Sequence, residues 1–179
     1  MAGRSVSREQ ILTLDEALTL VQNRMPVNLD IKVAAAIEPV VGRLRQHHMI
    51  EDAVLSGCSW SHVFTVRRLE PQLHVLINVD GWLRTLLRLC SSRLALLLSA
   101  LQARSARATG LNIAHQVAAD KFIRSATSHK LPIWTWTVDE PARALQLVNL
   151  GAVSVTSNWP NRILGALQEH AIQPVTATS

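Results

Sequence analysis

Two charged residues stand at the end of an apolar run early in the chain. Val27, Leu29 and Ile31 alternate with polar residues there, a pattern that predicts a half-buried β-strand. Side chains two residues apart on a strand share a face, so Asp30 and Lys32 are predicted to point to the same side. A carboxylate can supply oxygen atoms to a hard divalent cation, and a lysine ammonium can contact a phosphate oxygen. In a parallel barrel, chemistry collects at such strand ends, so this pair is the first candidate.

A second stretch, residues 131–161, has the pattern of a complete supersecondary unit. Its parts are a strand-like run at 132–138, a helical period at 142–150, a helix stop at Gly151 and a second strand-like run at 152–156. Strand, helix and strand with short connections predict one βαβ unit of a parallel sheet.

The rest of the chain repeats this alternation. Strand-like runs, each followed by a helical segment, lie near residues 27–31, 53–57, 74–79, 111–114, 132–138 and 152–156. Such an alternating chain predicts the α/β class with a parallel sheet. Gly-x-Gly-x-x-Gly follows none of the strands, and Gly-x-x-x-x-Gly-Lys-Ser/Thr is absent, so a dinucleotide-binding sheet and a P-loop NTPase both lose their main support.

The composition indicates one folded domain. The 179 residues are 48% hydrophobic and 17% charged, which suits a sizeable core and argues against disorder. The net charge is +5, but the basic residues are spread along helical segments, so we expect no nucleic-acid binding. The predicted apolar helix Leu83–Leu101 is interrupted by arginines. Its longest run without a charged residue is too short to span a membrane. The polar N-terminus is no signal peptide, so we expect a cytoplasmic protein.

The motifs of the second stretch resemble those of one enzyme family. Trp-Thr-Val-Asp at 136–139, a helix that ends in glycine, and Asn-x-Pro at 158–160 resemble the end of a glycerophosphodiester phosphodiesterase domain. Residues 11–18 are similar to the run that precedes the third strand of the family's barrel. Asp30-x-Lys32 stands where the family has Glu-x-Lys, whereas Ser157 stands where the family usually has Thr.

The resemblance implies an incomplete TIM-type (β/α) barrel. The family has eight βα units, and this chain matches strands three to eight, so we expect six parallel strands with helices outside and the first two βα units missing. The expected organisation is a disordered N-terminus over 1–10, a partial barrel over 11–170 and a C-terminal tail over 171–179. Both sheet edges would be open and apolar, so we expect a fragment or truncated gene product that can self-associate.

The resemblance also implies a function and its residues. The family hydrolyses glycerophosphodiesters to glycerol 3-phosphate and an alcohol with a divalent metal, here Mg²⁺ or Ca²⁺. Asp30 would be a metal ligand, Lys32 a phosphate contact and Trp136 a cover over the glycerol moiety. The His-Arg-Gly, Glu-x-Asp and His-Asp motifs are absent, and with them the acid and base histidines. We therefore expect weak or no activity from this chain alone. The alternative is a non-catalytic remnant that acts as an interaction module through the helix Leu83–Leu101.

Other polar residues are interpreted as structural. Ser56 is a predicted turn serine, the pair His47–His48 ends a helix, and Ser157–Asn158 is a predicted helix cap before Pro160. Trp134 is assigned to packing. His115 follows a strand and could serve as a general base, but no family motif supports this role. Cys58 and Cys90 form neither a disulfide framework nor a zinc site.

Overall fold

A computed structural model describes residues 11–79, 85, 92–117 and 119–172. The predicted disordered N-terminus, the last seven residues of the tail and the start of the leucine-rich helix lie outside the described residues. The chain divides into two compact units, one up to Val75 and one from Leu76 onward.

The first unit begins with a capped helix. The Thr13 hydroxyl accepts a hydrogen bond from the backbone N–H of Glu16, and the Glu16 carboxylate accepts one from the backbone N–H of Thr13 at 2.7 Å. A threonine followed three residues later by glutamate is the sequence signature of a capping box, so the spacing of Thr13 and Glu16 predicts this arrangement. The unit's elements are α1 (Leu14–Val21), β1 (Val27–Asp30), a 3₁₀ turn (Ala34–Ala36), α2 (Ile37–Gln46), β2 (Ala53–Cys58), α3 (Trp60–Leu69) and the start of β3 (His74–Asn78).

Strands β1 and β2 are parallel neighbours whose register brings two polar residues side by side. Leu29 lies opposite Leu55, and Asp30 lies opposite Ser56. The helices pack on these strands through fully buried side chains such as Leu44 and Val63. The core of this unit is therefore mostly aliphatic.

The second unit continues the same alternation. Its further elements are α4 (Ser92–Ala106), β4 (Gly110–Ala114), α5 (Asp120–Ser128), β5 (Ile133–Trp136), α6 (Pro141–Asn149), β6 (Ser154–Val155) and α7 (Pro160–Ile172). Parallel pairs join β3 to β4, β4 to β5 and β5 to β6. Phe122, Ile113 and Ile133 are fully buried between the strands and the helices that follow them.

Four helices end with a residue in the left-handed conformation. These residues are His48, Arg107, Lys130 and Gly151, with φ of 53°, 56°, 56° and 98°. After each of them, the next backbone N–H bonds to a carbonyl five residues earlier, as in Leu131 to Ala126 at 2.9 Å. This is the Schellman arrangement, which satisfies the last carbonyls of a helix. The predicted helix stop at Gly151 is confirmed.

The fold class predicted from the sequence is confirmed. The strands are parallel, their order is β1-β2-β3-β4-β5-β6, and each is followed by a helix, as in an incomplete TIM-type barrel. The predicted strands agree with the observed ones to within two residues at each end. Among the helices of the described ranges, none is long and apolar enough to cross a membrane.

Candidate functional sites at the carboxyl ends of the strands

Asp30 and Lys32 form an ion pair at the end of β1. The Lys32 ammonium donates to Asp30 Oδ2, and the two side chains are 78% and 51% exposed, respectively. Ile31, between them, is buried, so the predicted alternation of side chains is confirmed. Because an exposed ion pair contributes little to stability, a charged ligand can replace either partner at small cost.

The other oxygen of the Asp30 carboxylate packs against Gly57 of β2. Gly57 has φ of +72°, and a Cβ atom there would lie 2.2 Å from Asp30 Oδ1 and 2.6 Å from the carbonyl oxygen of Ile31. Only glycine permits this approach of strand and carboxylate. The sequence-based interpretation missed Gly57, although a glycine near a strand end is a recognisable signal.

The two neighbours of Gly57 are buried. Cys58 is fully buried, and this burial, with a smaller contribution from the Asp30 charge, raises the pKa of its thiol to about 12. The thiol is therefore protonated at neutral pH and is a poor nucleophile. Ser56 lies within β2 and is 3% exposed, so its interpretation as a turn serine is wrong. Ser56 pairs with Asp30 of β1, inside the strand predicted at 53–57.

The residues around Asp30 do not by themselves fit a divalent metal site. A hard cation takes six or more oxygen ligands, and Asp30 offers one carboxylate that already contacts Lys32 and Gly57. Across the described ranges, no three His, Cys, Asp or Glu side chains lie close enough to hold a metal ion. Metal binding by Asp30 stays a prediction that rests on the resemblance.

In the second unit, Asp139 binds the loop that follows β6. Ser157 Oγ and the backbone N–H of Asn158 donate to Asp139 Oδ1 at 3.0 and 2.8 Å, and Asn158 Nδ2 donates to Oδ2 at 2.9 Å. The hydrogen bonds from Asn158 are the main reason why the pKa of Asp139 is lowered. Asp139 of the Trp-Thr-Val-Asp motif and Asn158 of the Asn-x-Pro motif are thus hydrogen-bonded to each other. Ser157 and Asn158 were predicted to cap α7. Instead they bind Asp139, and Ser157 Oγ accepts from the N–H of Trp159 at 3.0 Å.

Trp136 is the last residue of β5. It and Trp134 are half-buried, whereas Thr135 between them is buried, so the two tryptophans share a strand face as predicted. Asn112 lies opposite Trp134 on this face, and its amide donates to Asn78 Oδ1 at 2.9 Å. The face is therefore polar and aromatic at its carboxyl end. A contact between Trp136 and substrate stays a prediction.

His115 follows β4 and is held through its backbone. Its N–H donates to the carbonyl of Trp136 at 2.8 Å, and its own carbonyl accepts from Arg143 Nη2 at 3.3 Å. Burial, and then the positive charge of Arg143, lower the pKa of His115, while the charge of Asp139 opposes this shift. The ring is therefore neutral at neutral pH and can accept a proton. Arg143 also bonds Asp120 at 2.9 Å, a contact that the sequence did not indicate.

Solved glycerophosphodiester phosphodiesterases share the fold of these elements over part of their length. A phosphodiesterase of Oleispira antarctica, solved in complex with the product sn-glycerol-3-phosphate, is 20% identical, with a TM-score of 0.70 over 87% of this chain and 60% of its own. A glycerophosphodiester phosphodiesterase of Parabacteroides distasonis is 15% identical, with a TM-score of 0.67 over 88% of this chain and 64% of its own. A glycerophosphodiester phosphodiesterase of Agrobacterium tumefaciens is 15% identical, with a TM-score of 0.63 over 85% of this chain and 60% of its own.

The resemblance read from the sequence motifs is confirmed at the level of the fold. The chain spans about three-fifths of the length of these solved structures. No protein-family model matches the sequence, and no curated protein matches it.

Proposed function

We propose that this chain is a glycerophosphodiester phosphodiesterase-like protein of glycerophospholipid metabolism. It binds glycerophosphodiesters through Lys32 and, by itself, hydrolyses them weakly or not at all. The observation that carries this proposal is the exposed Asp30–Lys32 pair at the end of β1, in a chain with the fold of these phosphodiesterases.

Lys32 is the phosphate contact in this proposal. A lysine ammonium acts as a point charge toward phosphate oxygens, and the ammonium of Lys32 is accessible because its side chain is 78% exposed. The solved relative from Oleispira antarctica contains sn-glycerol-3-phosphate, a ligand with such a phosphate. Asp30 orients the ammonium through the ion pair, and its carboxylate is the ligand that would contact Mg²⁺ or Ca²⁺.

Trp136 is the proposed contact for the glycerol moiety. Trp136 is half-buried at the carboxyl end of β5, so part of the residue remains accessible. The flat apolar face of an indole can cover the C–H groups of glycerol, while the hydroxyl groups stay in water. Substitution of Trp136 by leucine is expected to weaken binding of glycerol phosphate more than binding of inorganic phosphate.

We expect weak hydrolysis because the family's proton-transfer groups are absent from this sequence. Cleavage of a phosphodiester by water needs a base for the attacking water and an acid for the departing alcohol. The sequence has none of the family's three histidine and carboxylate motifs. His115 can accept a proton, but its lowered pKa means that the ring is mostly unprotonated at neutral pH, so a second group is needed as the acid that meets the departing alcohol.

The test is hydrolysis of glycerophosphocholine by the purified chain with added Mg²⁺ or Ca²⁺, measured as release of glycerol 3-phosphate. Any release is expected to disappear in Lys32→Ala and to persist in Lys121→Ala, a matched change of an exposed lysine on α5. Release that is equal in wild type and Lys32→Ala would reject the role of Lys32. Turnover near the enzyme median of about 10 s⁻¹ would reject the proposal of weak activity.

One observation favours a second candidate, a non-catalytic interaction module. Leu94, Leu97 and Leu101 of α4 are 44%, 55% and 55% exposed. Their spacing of three and four residues places them on one face of the helix. If this face mediates self-association, light scattering will show an oligomer that Leu97→Glu converts to a monomer. A monomeric wild type at high concentration would reject self-association through α4.

A further inference from the structure

A pocket of about 510 Å³ lies in the second unit, at the ends of the strands opposite to the residues described above. Its walls include Ala108 and Thr109, which lead into β4, and Leu131 and Pro132, which lead into β5. His115 and Trp136, by contrast, follow those strands. The volume is within the range of small-molecule sites, roughly 300–1,000 Å³.

Three side chains with polar nitrogen atoms line this pocket. They are Arg104 at the end of α4, and His129 and Lys130 at the end of α5. No aspartate or glutamate is among the described lining residues, and neither Arg104 nor Lys130 takes part in the ion pairs that the structure shows. Their charges are therefore available to an anion, which they would bind through charge-assisted hydrogen bonds.

The remaining walls are mostly aliphatic. Leu97, Ala100 and Leu131 contribute apolar surface next to the basic groups, and Leu97 is 55% exposed. On α4, Leu97 belongs to the exposed leucine face that also contains Leu94 and Leu101. A ligand that satisfies both parts of the pocket needs an anionic head and an apolar chain.

The backbone fixes the basic groups at the pocket. Lys130 occupies the left-handed position after α5, where its N–H bonds to the carbonyl of Thr127 at 3.0 Å. His129 Nδ1 lies 2.8 Å from the carbonyl of Ser125, so Nδ1 carries the hydrogen, and Nε2 of the neutral ring is an acceptor for a hydroxyl group of the ligand. The last carbonyls of α5 are bonded within the Schellman arrangement. The charged side chains, rather than unpaired carbonyls, therefore determine which ligand is favoured.

We propose that this pocket binds a single-chain amphiphile with an anionic head group, a phosphate monoester or a carboxylate. The anionic oxygens of the head contact Arg104 and Lys130, the P–OH of a phosphate monoester can donate to His129 Nε2, and the chain lies along Leu97 toward the exposed leucines of α4. This site does not depend on the function proposed above, because Asp30, Lys32 and Trp136 do not line it.

The test is calorimetric titration of octyl phosphate into the full chain and its variants. Lys130→Gly removes one charge and suits the left-handed backbone, so the fold is retained. The matched control is Arg107→Gly, which makes the same change at the end of α4, where Arg107 does not line the pocket. We expect Lys130→Gly and Arg104→Gln each to weaken binding about tenfold, the loss of one charge-assisted hydrogen bond, and Arg107→Gly to leave it unchanged.

Further ligands test the basic and the apolar part of the pocket one at a time. They also distinguish a soluble amphiphile from a membrane surface as the source of the head group. Inorganic phosphate and octanol should each bind at least about tenfold more weakly than octyl phosphate, because each engages only one part. Lys32→Ala should leave octyl phosphate binding unchanged. The proposal is overturned if octyl phosphate does not bind, if Arg107→Gly weakens binding as much as Lys130→Gly does, or if the chain binds anionic phospholipid vesicles but not octyl phosphate in solution.

Discussion

Asp30 in the first unit and Asp139 in the second both lie at the carboxyl end of a parallel strand, but their oxygen atoms are used differently. Asp139 accepts three hydrogen bonds from Ser157 and Asn158, which join two loops of the second unit. Asp30 is half exposed, and its hydrogen-bond partner is the still more exposed Lys32. A position at a strand end therefore does not by itself mark a functional residue. What distinguishes Asp30 is the exposure of its partner, which is why we propose that a ligand replaces Asp30 at Lys32.

The largest expected effect comes from the glycine that supports Asp30. In Gly57→Ala, the new Cβ would overlap the carbonyl oxygen of Ile31, and alanine would have to adopt a positive φ. We expect a loss of about 3 kcal/mol in the free energy of unfolding, measured by urea denaturation. Gly42→Ala is the control: it lies in α2 with no atom within 4 Å of the new Cβ, and should gain about 0.5–1 kcal/mol. A neutral Gly57→Ala would contradict the described approach of Asp30 to β2.

Thermal unfolding of two variants compares the two carboxylates directly. Asp139→Ala removes an acceptor of three hydrogen bonds and should lower the melting temperature by several degrees. Asp30→Ala breaks only an exposed ion pair, so the free energy of unfolding should change by at most about 1 kcal/mol. Equal shifts in the two variants would remove the distinction between a structural and an available carboxylate.

Acid titration should single out Asp139. Because its pKa in the folded chain is lower than in the unfolded chain, its charged form stabilises the fold. That contribution is complete above the unfolded pKa of about 4 and is lost as the pH falls through the folded pKa. The difference in melting temperature between wild type and Asp139→Asn should therefore be largest above about pH 4 and should shrink below it. A difference that does not vary with pH would contradict the assigned hydrogen bonds.

The smallest expected effect concerns Cys58. In a Cys90→Ser background, the buried thiol should react slowly with a disulfide reagent at pH 8, because its pKa is about 12. Asp30→Asn should accelerate the reaction only slightly, since burial is the main cause of the raised pKa and the Asp30 charge the lesser one. Rapid labelling of the folded chain would show that Cys58 is accessible and would contradict the packing at the end of β2.

Much of the fold could be predicted because the signals are local. The alternation around Ile31, the capping box at Thr13 and the helix stop at Gly151 each depend on a few neighbouring residues, and all three are confirmed. The Asp30–Lys32 pair was found for the same reason, since two residues on one strand face must lie together.

The features that the sequence did not reveal depend on contacts between distant segments. The bond between Asp139 and Asn158 requires the loops after β5 and β6 to meet, which follows from strand pairing and not from local composition. The pocket at Arg104 and Lys130 depends on how α4 and α5 end beside β4 and β5. Both sites became evident only from the pairing and packing of whole elements.

The central claim, that Lys32 binds a phosphate, is tested most directly by calorimetric titration of sn-glycerol 3-phosphate. Wild type and Lys121→Ala should bind with the same affinity, and Lys32→Ala should bind at least about tenfold more weakly while melting at the same temperature. Such a result would establish Lys32 as a ligand contact whether or not hydrolysis is detected. Equal affinity in wild type and Lys32→Ala, or no binding by the folded wild-type chain, would contradict the claim.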